Sequence, residues 1–336
     1  MLFFDCLMWE RIMNEQWKKA VIHLECATDS KSYYDRRDEI VELGKKLRKA
    51  EITPDEYIEE TYFKFRDVRF RGTALFVSHN GKRYLLTARH VLFDEVNAEG
   101  YLNFEEKVVA NFREDTKNKR LQDARNSSLN TIFSYIFRVP SFDEVLSGKN
   151  VLEQQSLICL SAGLVDSRPY SFSNPYLDLA IISLDDYTTK DFADELEAIG
   201  YIPVPSDLIE DGPTEEGADI FTIGFPDATS LIDTFNLDPV SAHRASNYFS
   251  LPVFSWGRVS MLHTLLPFYW CDMSIYPGNS GGPVIENGKL VGVVSAQAAL
   301  PIDAVPQITT RIPFAKIIKT TFAKKLIEEF EATKSK

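Results

Sequence analysis

The stretch Tyr276-Pro277-Gly278-Asn279-Ser280-Gly281-Gly282-Pro283 lies between an aromatic-rich run, 265–273, and a β-rich run, 284–295. Three glycines so close together call for a backbone that bends where a side chain cannot go. A serine in the middle of such a turn is displayed rather than buried. If Ser280 attacks a carbonyl carbon, the N–H groups of Gly278 and Ser280 can point at the oxygen that gains charge. That arrangement is an oxyanion hole, in which one lost donor costs about 3 kcal/mol of transition-state stabilisation.

A serine at its free pKa is a weak nucleophile; it needs a base, and the base needs a group to orient it. The chain has five histidines, His23, His79, His90, His243 and His263. His90 follows the apolar run Leu85-Leu86-Thr87-Ala88, where a base can face a cleft. Asp178 opens Leu177-Asp178-Leu179-Ala180-Ile181-Ile182, and a carboxylate beside an imidazole fixes its tautomer and stabilises the imidazolium. Taken alone, His90 could be a satisfied structural histidine and Asp178 a residue capping a buried strand. The glycine-rich turn favours the chemical reading. Among the rivals, His79 reads as an exposed, inert turn residue, His243 as a loop residue and His263 as a core or edge residue.

Thr87-Ala88-Arg89-His90, Leu177-Asp178-Leu179-Ala180 and Gly278-Asn279-Ser280-Gly281-Gly282-Pro283, with Gly72-Thr73-Ala74-Leu75-Phe76-Val77 upstream, follow the order His, Asp, Ser. In these motifs the chain resembles the trypsin-like (chymotrypsin-fold) serine proteases, and among them the bacterial trypsin-like peptidases that include the HtrA protease domain. The resemblance spans roughly 19–314. It implies an all-β fold of two six-stranded antiparallel barrels, with His90, Asp178 and Ser280 as the catalytic residues and Gly278 and Ser280 as the oxyanion hole. No cofactor or metal is expected. Asn279 stands where many animal digestive enzymes have an aspartate, so activation by a newly cut N-terminus is not expected. No PDZ-like segment is expected after the protease region.

The formal net charge is −12 over 336 residues. That argues against a general nucleic-acid surface, whose usual footprint is a basic patch. Cys6, Cys26, Cys159 and Cys271 are widely spaced with no CxxC, which fits neither a disulfide framework nor a zinc site and suggests a reduced, cytoplasmic setting. The first residues carry Asp5 and lack the basic region and cleavage site of a secretory signal. No apolar run reaches the roughly 18 residues of a membrane span.

Along the chain, 1–18 reads as a leader or short helix and 20–26 as the first strand of a first barrel covering 19–186. Ile40, Leu43 and Leu47 sit at helical spacing, and Thr53-Pro54-Asp55-Glu56 is a capping box, so 35–65 reads as a helical insertion. It is either a lid on the first barrel or a docking surface for a regulatory partner. Asn80-Gly81 predicts a hairpin between 71–77 and 83–88. The 88 residues from His90 to Asp178 imply a long insertion near 94–176. Within it, 114–130 reads as a polar surface loop and 107–112, 132–139 and 156–160 as short strands. Residues 187–217 resemble an inter-barrel connection and 218–313 a second barrel, in which Gly257 reads as a bulge. Phe314, Ile318, Phe322 and Leu326, at i, i+4 spacing, predict a C-terminal helix within 314–336.

The resemblance places the floor of the pocket for the residue before the scissile bond at Ser274. Ser295, Ala296 and Gln297 become its wall and the edge that pairs with substrate. Ser274 is not acidic, so an Arg or Lys preference has no source there. The expected function is a serine endopeptidase acting on polypeptides through an acyl-enzyme. The alternative is a protease-fold binding or effector module with low activity until a partner engages it.

Overall fold

The computed structural model describes residues 14–64, 67–159, 171–186, 189–303 and 305–334. The expectation for residues 1–13 therefore lies outside the described residues, as do positions 160–170 of the long insertion. The chain is predominantly β, in two halves. The first half contributes β1 (Val21–Thr28), β2 (Val68–His79), β3 (Lys82–Ala88), β4 (Tyr135–Arg138), β5 (Leu157–Cys159), β6 (Ser171–Asn174), β7 (Leu179–Ser183) and β8 (Val204–Pro205). They form one sheet in the order β5-β4-β1-β2-β3-β7-β6, with β8 pairing parallel to β2. Where a first six-stranded barrel was expected, the first half forms an eight-stranded sheet whose described strands do not close on themselves.

The second half runs through β9 (Asp219–Gly224), a separate two-stranded ribbon of β10 (Leu231–Thr234) and β11 (Tyr248–Ser250), then β12 (Val253–Met261), β13 (Phe268–Cys271), β14 (Pro283–Glu286), β15 (Lys289–Ile302) and β16 (Val305–Lys319). Six of them close into a barrel, β12-β13-β16-β15-β14-β9. The whole is a chymotrypsin-like two-barrel architecture with added helices. A continuous core joins the halves: Leu75, Tyr84 and Ile181 pack with Phe221, Ile285 and Ile318, and with Leu326 and Phe330 of the C-terminal helix.

Local chemistry explains the parts that position the site. Asn80 and Gly81 take φ of 50° and 75°, which makes a two-residue hairpin with a primed turn and sets the β2–β3 register at His79↔Lys82. The capping box of the helical insertion forms as read: Thr53 N–H donates to Glu56 Oε2 (2.8 Å) and Glu56 N–H to Thr53 Oγ1 (3.2 Å).

Other expectations need correction. The strand expected over 107–112 does not form, since 95–108 is a helix and 109–112 is a turn, and 114–128 is a helix rather than a loop. The second has few apolar residues and is held by tertiary contact, with Arg120 Nε 2.5 Å from Glu105 Oε2. Gly257 is not a bulge: it stays in register opposite Ile220, and a Cβ there would come within 2.9 Å of Met273 Cβ, so the glycine serves close approach. His79 is half-buried, with Nδ1 2.8 Å from Ser206 Oγ. The last helix is Thr320–Lys334, while Phe314 and Ile318 belong to β16. Among the described residues no helix is long and apolar enough to cross a membrane.

His23 on β1 is fully buried, stacked on Phe225 (ring centroids 4.7 Å apart), with Nδ1 2.8 Å from Ser250 Oγ. Burial first, and then the charge of Arg71, push its pKa from 6.5 down to about 3. Folding therefore excludes a proton that the unfolded chain binds below 6.5. The stability this residue allows is complete above pH 6.5 and falls as pH drops towards 3, by about 1.4 kcal/mol per pH unit. Urea unfolding at a series of pH values in this window should show His23→Phe with a slope lower by about one proton. An unchanged slope would mean that His23 takes up no proton on unfolding.

Candidate active site

β3 and β7 are antiparallel neighbours with Ala88 opposite Leu179. One step beyond that pair, Arg89 N–H donates to the Asp178 backbone carbonyl at 2.9 Å. The chain then turns into a single helical turn, Arg89–Leu92, that carries His90. Asp178 sits at φ 54°, a left-handed conformation costly for a residue with a Cβ, and this swings its carboxylate towards the imidazole.

Three groups donate to that carboxylate. His90 N–H reaches Oδ1 at 3.0 Å, His90 Nδ1 lies 2.9 Å from Oδ2, and the Ser295 hydroxyl donates to Oδ2 at 2.7 Å. Burial alone would raise the Asp178 pKa. The hydrogen bond and charge of His90, with the bonds from Ser295 and the His90 backbone, outweigh it and hold the group below its ordinary 3.8. An ionised carboxylate only accepts, so Nδ1 of His90 carries the proton and Nε2 is left as a base. The imidazole is half exposed, as a base facing a cleft must be.

The serine turn is fixed from both halves of the molecule. Thr73 on β2 donates its N–H to the Ser280 carbonyl (2.9 Å) and its hydroxyl to the Gly278 carbonyl (2.7 Å). Gly281 N–H donates to Val294 of β15 at 2.8 Å, and Asp227 N–H to the Pro277 carbonyl at 2.9 Å. Gly278 and Gly281 adopt φ of 99° and 85°. A Cβ on Gly278 would stand 2.1 Å from the Phe225 carbonyl oxygen. One on Gly281 would stand 2.1 Å from the Thr73 carbonyl oxygen and 3.0 Å from the Ala88 nitrogen. The turn therefore abuts the strand end that leads into His90. Among the described residues, the N–H groups of Gly278 and Ser280 have no protein acceptor, and the Ser280 hydroxyl makes no hydrogen bond to His90.

The pocket residues are more dispersed. Ser274 is exposed on the segment between β13 and the turn, Ala296 is exposed, and Gln297 is half-buried with Oε1 buried and unpartnered. Ser295 is buried, and its hydroxyl is committed to Asp178 rather than free to line a pocket. That commitment and the two hydrogen bonds from Thr73 were not foreseen from the sequence. The only signal for Thr73 was its place in Gly72-Thr73-Ala74, upstream of the histidine.

The structure thus has a strand-end imidazole held by a carboxylate, and a glycine-rich serine turn with two unclaimed N–H groups packed against the end of that strand. The profile of the trypsin-like peptidase domain family matches residues 72–293, a span that contains His90, Asp178 and Ser280, and the chain belongs to that family. No curated relative matches the sequence. Among solved structures, the crystal structure of the inactive form of the protease Rv3671c is similar to it, with 12% identity and a TM-score of 0.39, covering 95% of this chain and 92% of that one.

Gly278→Ala forces a side chain into left-handed backbone against the Phe225 carbonyl. It should lower stability by about 2 kcal/mol or more, read as a drop in the urea midpoint. Wild-type stability in this variant would show that the turn tolerates a Cβ.

Proposed function

We propose that this chain is a serine endopeptidase. The observation that supports it most is the His90 Nδ1–Asp178 contact at 2.9 Å, next to a turn whose Gly278 and Ser280 N–H groups are unclaimed. Ser280 Oγ attacks the carbonyl carbon of a peptide bond and its proton passes to His90 Nε2. The N–H groups of Gly278 and Ser280 take the oxyanion. On collapse the C–N bond breaks and His90 returns the proton to the leaving amine. Water, deprotonated by His90, then hydrolyses the ester. Asp178 stays ionised and holds the imidazole tautomer throughout.

Substrate is read as an extended polypeptide. β14 pairs with β15 only as far as Val293, whereas β16 follows β15 on to Ile302. One edge of β15 beyond Val294 is therefore open for a peptide to add by backbone hydrogen bonds. Ser274, Ala296 and Gln297 surround the side chain before the cut, with an uncharged, small-to-medium residue preferred. A peptide-library profile dominated by Arg or Lys would contradict this preference.

A fluorophosphonate probe tests the enzyme directly. Wild-type protein should label and Ser280→Ala should not, with His90→Ala reduced by about 10³-fold or more. Because Asp178 is held below its ordinary 3.8, it stays ionised above that value and adds no second proton to the acid limb of the labelling rate. That limb should show a single-proton slope, and a two-proton slope would contradict the assignment.

One observation favours a second reading, a module of low activity until a partner engages it: Ser280 does not hydrogen-bond to His90. In that case labelling would be slow and would rise when the partner is added.

A further inference from the structure

Asp227, just after β9, holds the serine turn by its backbone and also brings a charge to it. Its N–H donates to the Pro277 carbonyl at 2.9 Å, and a Cβ on Gly278 would lie 3.0 Å from its Oδ1. A carboxylate thus lies on the side of Gly278 where a side chain would project, at the residue whose N–H is proposed for the oxyanion hole. Its counter-charge comes from the other half of the molecule: Arg71 on β2, with Nε 3.3 Å from Oδ1 and Nη2 3.4 Å from Oδ2. The guanidinium also lies over the ring of Tyr248, 4.4 Å from its centroid.

Both side chains are partly exposed, and an exposed ion pair contributes only about 0–1 kcal/mol to stability. Stability alone is a weak reason for it. The position gives a better one. A negative charge beside an oxyanion hole opposes the charge that develops there, and a carboxylate is itself an acceptor for the free N–H groups of that turn.

Resting on the serine-hydrolase reading of the site, we propose that Arg71 is a positioning residue: it neutralises Asp227 and holds its carboxylate off the Gly278 and Ser280 N–H groups, keeping the oxyanion hole open. Arg71 touches no reacting atom in this account. It acts through Asp227, and the pair makes the hole depend on how β2 and the segment after β9 sit against each other.

The rate of labelling by a fluorophosphonate, whose phosphoryl oxygen occupies the hole, separates the possibilities. Arg71→Ala should slow labelling on the order of 100-fold, the size of one lost oxyanion donor. Asp227→Asn should label no slower than wild type. The double variant Arg71→Ala/Asp227→Asn should regain most of the lost rate, and Arg71→Lys should retain most of it. Thermal melts of each variant check that it is folded. Arg71→Ala labelling at the wild-type rate would overturn the proposal. A loss that persists in the folded double variant would also overturn it, because Arg71 would then be structural. Wild-type protein that does not label at all would overturn the serine-hydrolase reading, and this proposal with it.

Discussion

The Asp178 carboxylate is the point on which the site depends. It takes donors from its own half of the molecule, the backbone and ring of His90, and from the other half, the hydroxyl of Ser295. A carboxylate so provided for stays ionised despite its burial, because each donor is worth more to the charged form than to the neutral one. The left-handed backbone at Asp178 is the strain that this arrangement tolerates. One ion thereby fixes a tautomer, a ring orientation and the seating of β15 against β7.

The serine turn follows a complementary logic. Its glycines let the backbone approach Phe225, Thr73 and Ala88 at distances no side chain would permit. Thr73 then fastens the turn to the first sheet through two carbonyls, those of Gly278 and Ser280. With those carbonyls engaged on the β2 side, the N–H groups of Gly278 and Ser280 are left unclaimed. His90 comes from one half and Ser280 from the other, so the proposed pairing of base and nucleophile needs the halves to stay packed. The C-terminal helix contributes to that packing, since Phe330 contacts Tyr84 and Phe172 while Leu326 and Ile327 join the shared core.

Much of this was legible in the sequence where a local rule has one outcome. Asn80-Gly81 specifies a tight hairpin, Thr53 and Glu56 specify a cap, and the glycines around Ser280 specify a turn. What was not legible depended on distant partners. The helix 114–128 has almost no apolar stripe and is secured by Arg120 on Glu105, a contact the sequence does not display. Phe314 and Ile318 misled because a spacing of four places residues on one face of a helix and also on one face of a strand. Ser295 was read as pocket wall from the family resemblance, whereas its hydroxyl is spent on a residue 117 positions away. Arg71 and Asp227, 156 positions apart, gave no sequence signal at all.

The most direct measurement is a crystal structure of the fluorophosphonate adduct. The account predicts phosphorus bonded to Ser280 Oγ, with the phosphoryl oxygen about 2.7–3.1 Å from the N–H groups of both Gly278 and Ser280. It also predicts His90 Nε2 turned towards the adduct while Nδ1 keeps its contact with Asp178. An adduct on another residue, or a phosphoryl oxygen pointing away from those two N–H groups, would contradict it.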